Sequence, residues 1–317
     1  MKKELGIFLL LILLCIIVSV VKPLFISPTN IQNVSALVGM YGIFSIGVGI
    51  VIITGGIDLS VGSLFALLGV LLSIMLNERQ WPELLASGAV IAIGLAIGLM
   101  HGLFVTRLGV QPFIVTLCGL LFYRGLARVI AQDATKGFGE SPEVRFKMLD
   151  FLANGQVGGI RMPFILLILV SIVAWIVLHR SVYGRYLFAV GGNEQAARYA
   201  GVDSRRVTTL AYVSCSGLAA LASILNAFYV GSISPSSHGN LYELYGIAAA
   251  VLGGCSLRGG EGSVIGILLG TILFQVLQNL MIFMKIPSTY EYAVMGAIVL
   301  IVVVADQLFG YRSARKA

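Results

Sequence analysis

Residues 5–21 read LGIFLLLILLCIIVSVV, with no charged side chain and no proline. A helix needs roughly 20 apolar residues to cross the ~30 Å hydrocarbon core of a bilayer. Comparable runs recur at 34–54, 59–76, 84–106, 112–132, 163–179, 207–230, 241–257, 263–284 and 290–308. Turn-forming groups punctuate them, among them Ser27-Pro28-Thr29-Asn30, Asn77-Glu78-Arg79, Gln111-Pro112 and Ile286-Pro287-Ser288. Of the 317 residues, 58% are hydrophobic and 11% charged, whereas a water-soluble domain is about 25% charged. Too little polar surface remains to cover a core in water. The expected fold is all-α: a polytopic membrane protein of about ten transmembrane helices, with 1–317 forming one transmembrane domain.

Met1-Lys2-Lys3 ahead of the first run has the look of a signal peptide. The run is long for a signal core, however, and no A-x-A cleavage pattern follows, so it reads as a retained first span. With the N-terminus inside, twelve of the 21 Lys and Arg residues fall on the internal side. That bias places both termini in the cytoplasm. The net charge of +7 thus speaks for topology. It does not imply nucleic acid, because no basic run interleaved with exposed aromatics is present. Four scattered cysteines form no C-x-x-C pair. The histidines His101, His179 and His238 are dispersed and no H-E-x-x-H occurs, so no metal site is expected.

Two glycine-rich interruptions stand out. GGIDLSVG at 55–62 and GGCSLRGG at 253–260 both read G-G-x-x-L-x-x-G, and each lies between two apolar runs. Paired Gly-interrupted segments in two halves of a membrane chain point to a transport pathway. Backbone that leaves a helix within the membrane survives only against protein or water. The expected helix breaks are Gly55, Gly56 and Gly62 in the first segment and Gly253, Gly254, Gly259 and Gly260 in the second. Asp58 or Ser60 can cap the helix that follows the first break. Asp58 thus has two readings: a cap at the membrane boundary, or a deeper acid facing a hydrated cavity.

Three stretches, GGIDLSVGS (55–63), YGRYLFAVGGNEQAARYAGV (183–202) and AAVLGGCSLRGGEGSVIGILLG (249–270), together resemble the permease subunits of bacterial sugar ABC importers of the ribose and monosaccharide type. The resemblance runs in order over nearly the whole chain. It implies a multi-pass subunit of the bacterial inner membrane that pairs with a second permease subunit, identical or related. It also implies cytoplasmic ATP-binding subunits that hydrolyse the ATP and a periplasmic sugar-binding protein that delivers the sugar. The third motif departs from the family's usual pattern at Cys255 and Glu261, which leaves the particular sugar unassigned.

The segment 180–206 carries the clearest local signals. Asn193 is a good N-cap, Glu194 suits the first turn, and Gly201 suits the position just past the helix end. A two-turn helix over 194–200 places Ala196, Tyr199 and Ala200 on one face. On its own such a segment is either an interfacial loop helix or a lever that docks into a partner. The resemblance makes it the coupling helix, with Asn193, Glu194, Ala196, Ala197, Arg198, Tyr199, Ala200 and Gly201 facing the ATPase.

Candidate pathway residues are Asp58, Ser60, Asn226 and the trio Gln275, Gln278 and Asn279, which share one helix face. Uncharged amides suit a neutral polyhydroxylated solute, and they equally suit hydrogen bonding between helices. Tyr242, Glu243 and Tyr245 begin the eighth run, where an interfacial position is expected.

Two other functions compete. An ion-coupled secondary transporter needs deep acids and histidines, and Asp58 is the one candidate in the repeat motifs. An intramembrane enzyme needs a nucleophile–base or metal constellation, which is not found, so no catalytic residue and no bound cofactor are expected. The chain lacks a G-x-x-x-x-G-K-[ST] phosphate loop, so any ATP is hydrolysed by another subunit.

Overall fold

The computed structural model describes residues 2–139 and 142–290, together with positions 293, 294, 296, 297, 300 and 304. The tenth apolar run, 290–308, therefore falls almost wholly outside the described residues. The helices are α1 (Lys2–Val21), α2 (Pro28–Ile53), α3 (Val61–Ser73), α4 (Glu83–Thr106), α5 (Pro112–Ala131), α6 (Pro142–Arg145), α7 (Lys147–Asn154), α8 (Met162–His179), α9 (Val182–Gly192), α10 (Glu194–Tyr199), α11 (Ser204–Val230), α12 (Tyr242–Leu252) and α13 (Val264–Phe283). A π-helical turn, Ile74–Glu78, extends α3. Two 3-10 turns, Pro23–Ile26 and Ser288–Tyr290, and two short antiparallel strand pairs complete the described chain: β1 (Lys136–Gly137) with β4 (Ser232–Ile233), and β2 (Gln156–Val157) with β3 (Ile160–Arg161).

Among the described residues eight helices are long and apolar enough to cross a bilayer. The fold is that of an all-α polytopic membrane protein. The eighth apolar run differs from expectation. Only Tyr242–Leu252 is helical, 11 residues, which at 1.5 Å per residue is about 16 Å and too short to span. Gly254 takes φ +90° and ends the helix. α12 is therefore a half-helix.

The other ends are set by local chemistry. Ser27 accepts the Asn30 N–H with Pro28 in the first turn of α2. Ser181, Asp203 and Ser263 cap α9, α11 and α13 in the same way. Gln132 and Gly231 adopt the left-handed conformation just after α5 and α11.

α2 is the central helix: most of its side chains are buried, and it packs against α8, α11, α12 and α13. α4 lies along α11, where Gly94, Gly98 and Gly102 bring the backbones close. Two main apolar clusters result, one around α2 and α11, the other between α3, α4, α7 and the face of α11 that carries Phe228. In the second, Phe138 stacks on Phe228 with ring centroids 4.3 Å apart, and the neighbouring Gly137 carbonyl accepts from Ser73 Oγ at the end of α3 at 2.7 Å.

Candidate functional site

The two glycine segments meet. The Gly260 N–H donates to the Ile53 carbonyl at 2.9 Å, joining the end of α2 to the loop after α12. The end of α9 joins the same junction: a Cβ on Gly191 would overlap the Ile53 carbonyl. Gly55 and Gly259 sit at φ +80° and +87° in this contact, a conformation open to glycine at little cost.

From this junction the chain runs through residues 54–60 into the bundle. The Ile57 carbonyl accepts from Thr116 of α5 at 3.3 Å and from Tyr212 of α11 at 3.4 Å. Asp58 then lies beside His101 of α4, five residues before that helix ends at Thr106, or about 8 Å in from the end. Asp58 is 1% exposed. Its Oδ1 accepts both the Ser60 N–H (2.9 Å) and the Ser60 Oγ–H (2.6 Å). Ser60 occupies the N-cap position of α3 without a side-chain capping bond. Asp58 thus holds Ser60 in place; neither side chain caps by the direct route expected from sequence.

Sequence reasoning missed three residues around this break. The His101 Nε2 stands 2.7 Å from the Tyr123 hydroxyl, and its Nδ1 faces Asp58 Oδ2 at 3.9 Å. Glu243, expected at the interface, is buried: a Cβ on Gly62 would overlap its carboxylate and the Gly239 carbonyl. Two acids therefore flank the first turn of α3, where the N-terminal end of a helix favours negative charge. The reason Glu243 lies so deep is that the 234–241 stretch folds back into the bundle. Arg124 of α5 holds it there by donating to the carbonyls of Pro235 (3.1 Å) and His238 (2.6 Å).

The remaining pathway candidates lie at two other levels along α2. Asn226 is 2% exposed; its Nδ2 is 4.0 Å from Met40 Sδ and its Oδ1 has no partner. It lines a closed aromatic cluster with Tyr41, Phe44, Phe65 and Tyr242. Gln275, Gln278 and Asn279 line one cleft of about 230 Å³ with Leu37 and Pro287. Asn279 exchanges two amide hydrogen bonds with Asn30 of α2, at 3.0 and 2.9 Å. The Gln275 Nε2, fully buried, has no partner.

In the 180–206 segment, Asn193 accepts the Ala196 N–H at 2.9 Å and Gly201 takes φ +85°. Ser204 Oγ donates to Glu194 at 2.9 Å, tying α10 to the start of α11. Ala196, Arg198, Tyr199 and Ala200 are exposed, Tyr199 at 91%. Ala197 differs: it turns inward and is buried. Burial raises the Tyr183 phenol above its ordinary value, so the hydroxyl keeps its proton and donates to the Val207 carbonyl at 3.2 Å.

Residues 30–303 match a family described as the permease component of branched-chain amino acid transport systems. The chain belongs to this permease family. Over 309 residues the permease is 37% identical to the ribose import permease RbsC of Bacillus subtilis, covering 96% of this chain and 93% of the relative. It is 35% identical over 298 residues to RbsC of Escherichia coli K12, covering 93% and 91%. It is also 30% identical over 307 residues to the D-allose permease AlsC of the same strain, covering 95% and 90%. No solved structure matches the permease.

Proposed function

We propose that the permease is the membrane subunit of an ATP-driven importer that carries a monosaccharide, ribose or a related sugar, across the bacterial inner membrane. The observation that carries this reading is the match to sugar import permeases over almost the whole length of both chains. On this reading 1–317 is one transmembrane domain with both termini in the cytoplasm. The segment 180–206 is its cytoplasmic coupling element, and α10 docks into an ATP-binding subunit that hydrolyses the ATP. A periplasmic sugar-binding protein and a second permease subunit complete the importer.

The outward turn of Tyr199 and the direct tie from α10 to α11 support the coupling role, because a docked helix must pass movement to a span. The pathway is assigned to the three levels along α2: Asp58 with Ser60, Asn226, and the amides Gln275, Gln278 and Asn279. The glycine breaks at 55 and 56 and at 253, 254, 259 and 260 form the junction that moves when the coupling helix is pushed; Gly62, expected as a break, instead lies in the first turn of α3 against Glu243.

The test is reconstitution in vesicles with the ATP-binding subunit and the binding protein, with labelled D-ribose, D-allose and D-galactose as probes. Uptake of at least one sugar is expected only with ATP and all components. Accumulation by the permease alone, driven by a proton or sodium gradient, would overturn the reading in favour of a secondary transporter.

A further inference from the structure

We propose that Asp58 and His101 form a proton-binding site in the break between α2 and α3, and that a proton held there closes the break against α4. The site stands on geometry and goes beyond the import activity proposed above.

Each of the two side chains has one polar atom engaged and one left over. Asp58 commits Oδ1 to Ser60, while Oδ2 has no partner. His101 meets the Tyr123 hydroxyl through Nε2, while Nδ1 has no partner. The two leftover atoms face each other at 3.9 Å, each side chain almost wholly out of solvent. When the Tyr123 hydroxyl donates to Nε2, the ring proton sits on Nδ1, aimed at Asp58. A gap of 3.9 Å is about 1 Å too long for a hydrogen bond. An added proton goes to Nε2, with the Tyr123 hydroxyl turning to accept from it, and the charged ring then donates its Nδ1–H to the Asp58 carboxylate more strongly than the neutral ring does; closing the gap draws Ser60 and the first turn of α3 with it.

The surrounding charges favour a proton here. The other titratable groups in the field of Asp58 are Tyr123 on α5, Tyr212 and Cys215 on α11, and Glu243 on α12. Arg124 on α5 faces Glu243 and His238. Arg124 thus answers Glu243, which leaves an Asp58 carboxylate without a cation of its own, and an unbalanced charge inside a membrane is costly. A second positive charge on His101 balances the set.

Two measurements test this across about pH 5.5 to about pH 8, the interval of imidazole titration: thermal unfolding of the purified full-length permease, and ATP hydrolysis by the complex assembled with its ATPase. Wild type is expected to unfold at higher temperature toward the acid end, and His101→Asn to lose that slope. Glu243→Gln is expected to keep it. Because a closed break resists the movement that hydrolysis drives, the ratio of H101N to wild-type hydrolysis should rise toward acid by about tenfold, one hydrogen bond's worth of ~1.4 kcal/mol. Tyr123→Phe, which frees the ring tautomer, should shift the midpoint and keep the slope. The proposal falls if H101N keeps the wild-type unfolding slope, or if E243Q removes it. If the complex hydrolyses no ATP, the importer reading fails and the unfolding slopes alone decide the proton site.

Discussion

Gly191 and Ile53 are in such close approach that the α9 residue has no room for a side chain, whereas its neighbour Gly192 has open space around it. Two adjacent glycines at one helix end thus have opposite roles. Gly191→Ala forces the end of α2 away from α9, and overpacking against rigid backbone costs about 1–3 kcal/mol. The expected outcome is a lower unfolding temperature and less monodisperse permease in detergent. Gly192→Ala is expected to match wild type in both measurements. Equal effects from the two would mean that the junction does not hold the α2 end.

Two arginines one turn apart on α5 make a second contrast. Arg124 donates to two carbonyls of the stretch that folds back into the bundle, and Arg124→Met leaves both buried acceptors unpaired. The cost is about 2–3 kcal/mol, the range for hydrogen bonds from a charged donor. It should show as a lower unfolding temperature. Arg128 makes a two-bonded pair with Asp133 at 2.9 and 2.7 Å on the exposed surface. Arg128→Met is expected to leave the unfolding temperature where it is, because exposed pairs contribute little. The Arg128 guanidinium holds the Asp133 carboxyl below the usual carboxylate range. Whatever this pair adds is therefore present at neutral pH and lost as pH falls through that lowered value.

The outward faces of α10 give a prediction that separates docking from folding. Tyr199 stands almost fully in solvent while Ala197 packs inward. Tyr199→Glu is expected to leave folding intact and weaken binding of the ATP-binding subunit about 30-fold, the effect of losing an aromatic anchor worth about 2 kcal/mol. Ala197→Glu is expected to lower the unfolding temperature of the permease itself. Affinity measured with immobilised ATPase, beside unfolding of the permease alone, distinguishes the two. Unchanged affinity in the Tyr199 variant would remove α10 as the docking element.

What could be read from the sequence followed from how local the physics is. The α10 cap needs only Asn193 and the N–H three residues on, and the turn after it needs only a glycine able to adopt positive φ. Both were legible. Span positions followed from apolar length, since lipid permits little else. Depth was not legible. Glu243 begins an apolar run and so resembled an interfacial residue, yet it is buried because Arg124, more than a hundred residues away, ties the preceding stretch into the bundle. His101 seemed an isolated histidine within α4 because its partner Asp58 lies on a non-helical segment whose path is set by Tyr212 and Thr116. The eighth run resembled a full span because composition does not show where the helix stops, and it stops at the glycines that meet α2. Each miss involves a contact between distant segments at a place where helix periodicity lapses.

The buried amides can be sorted by what their removal does to stability. Asn279 and Asn30 bond to each other, and Asn30 also donates to the Phe25 carbonyl at 2.7 Å, so replacing both with leucine costs chiefly that last bond, while Asn30→Leu alone also leaves Asn279 unpaired. Asn226 Oδ1 and Gln275 Nε2 have no partner, and an unsatisfied buried polar atom costs about 1–3 kcal/mol. Asn226→Leu and Gln275→Leu are therefore expected to raise the unfolding temperature. A group kept at a cost to stability is what a transport pathway requires, because its partner is the passing solute. The same two variants are expected to lower sugar uptake by the reconstituted importer about tenfold, one hydrogen bond's worth of ~1.4 kcal/mol, with binding of the ATPase unchanged. The Asn30→Leu/Asn279→Leu pair removes an amide from the same cleft and is expected to lower uptake by a smaller factor, because these two amides already satisfy each other. Stabilised variants with full uptake would show that these amides merely pack, and the pathway would then have to be sought away from α2.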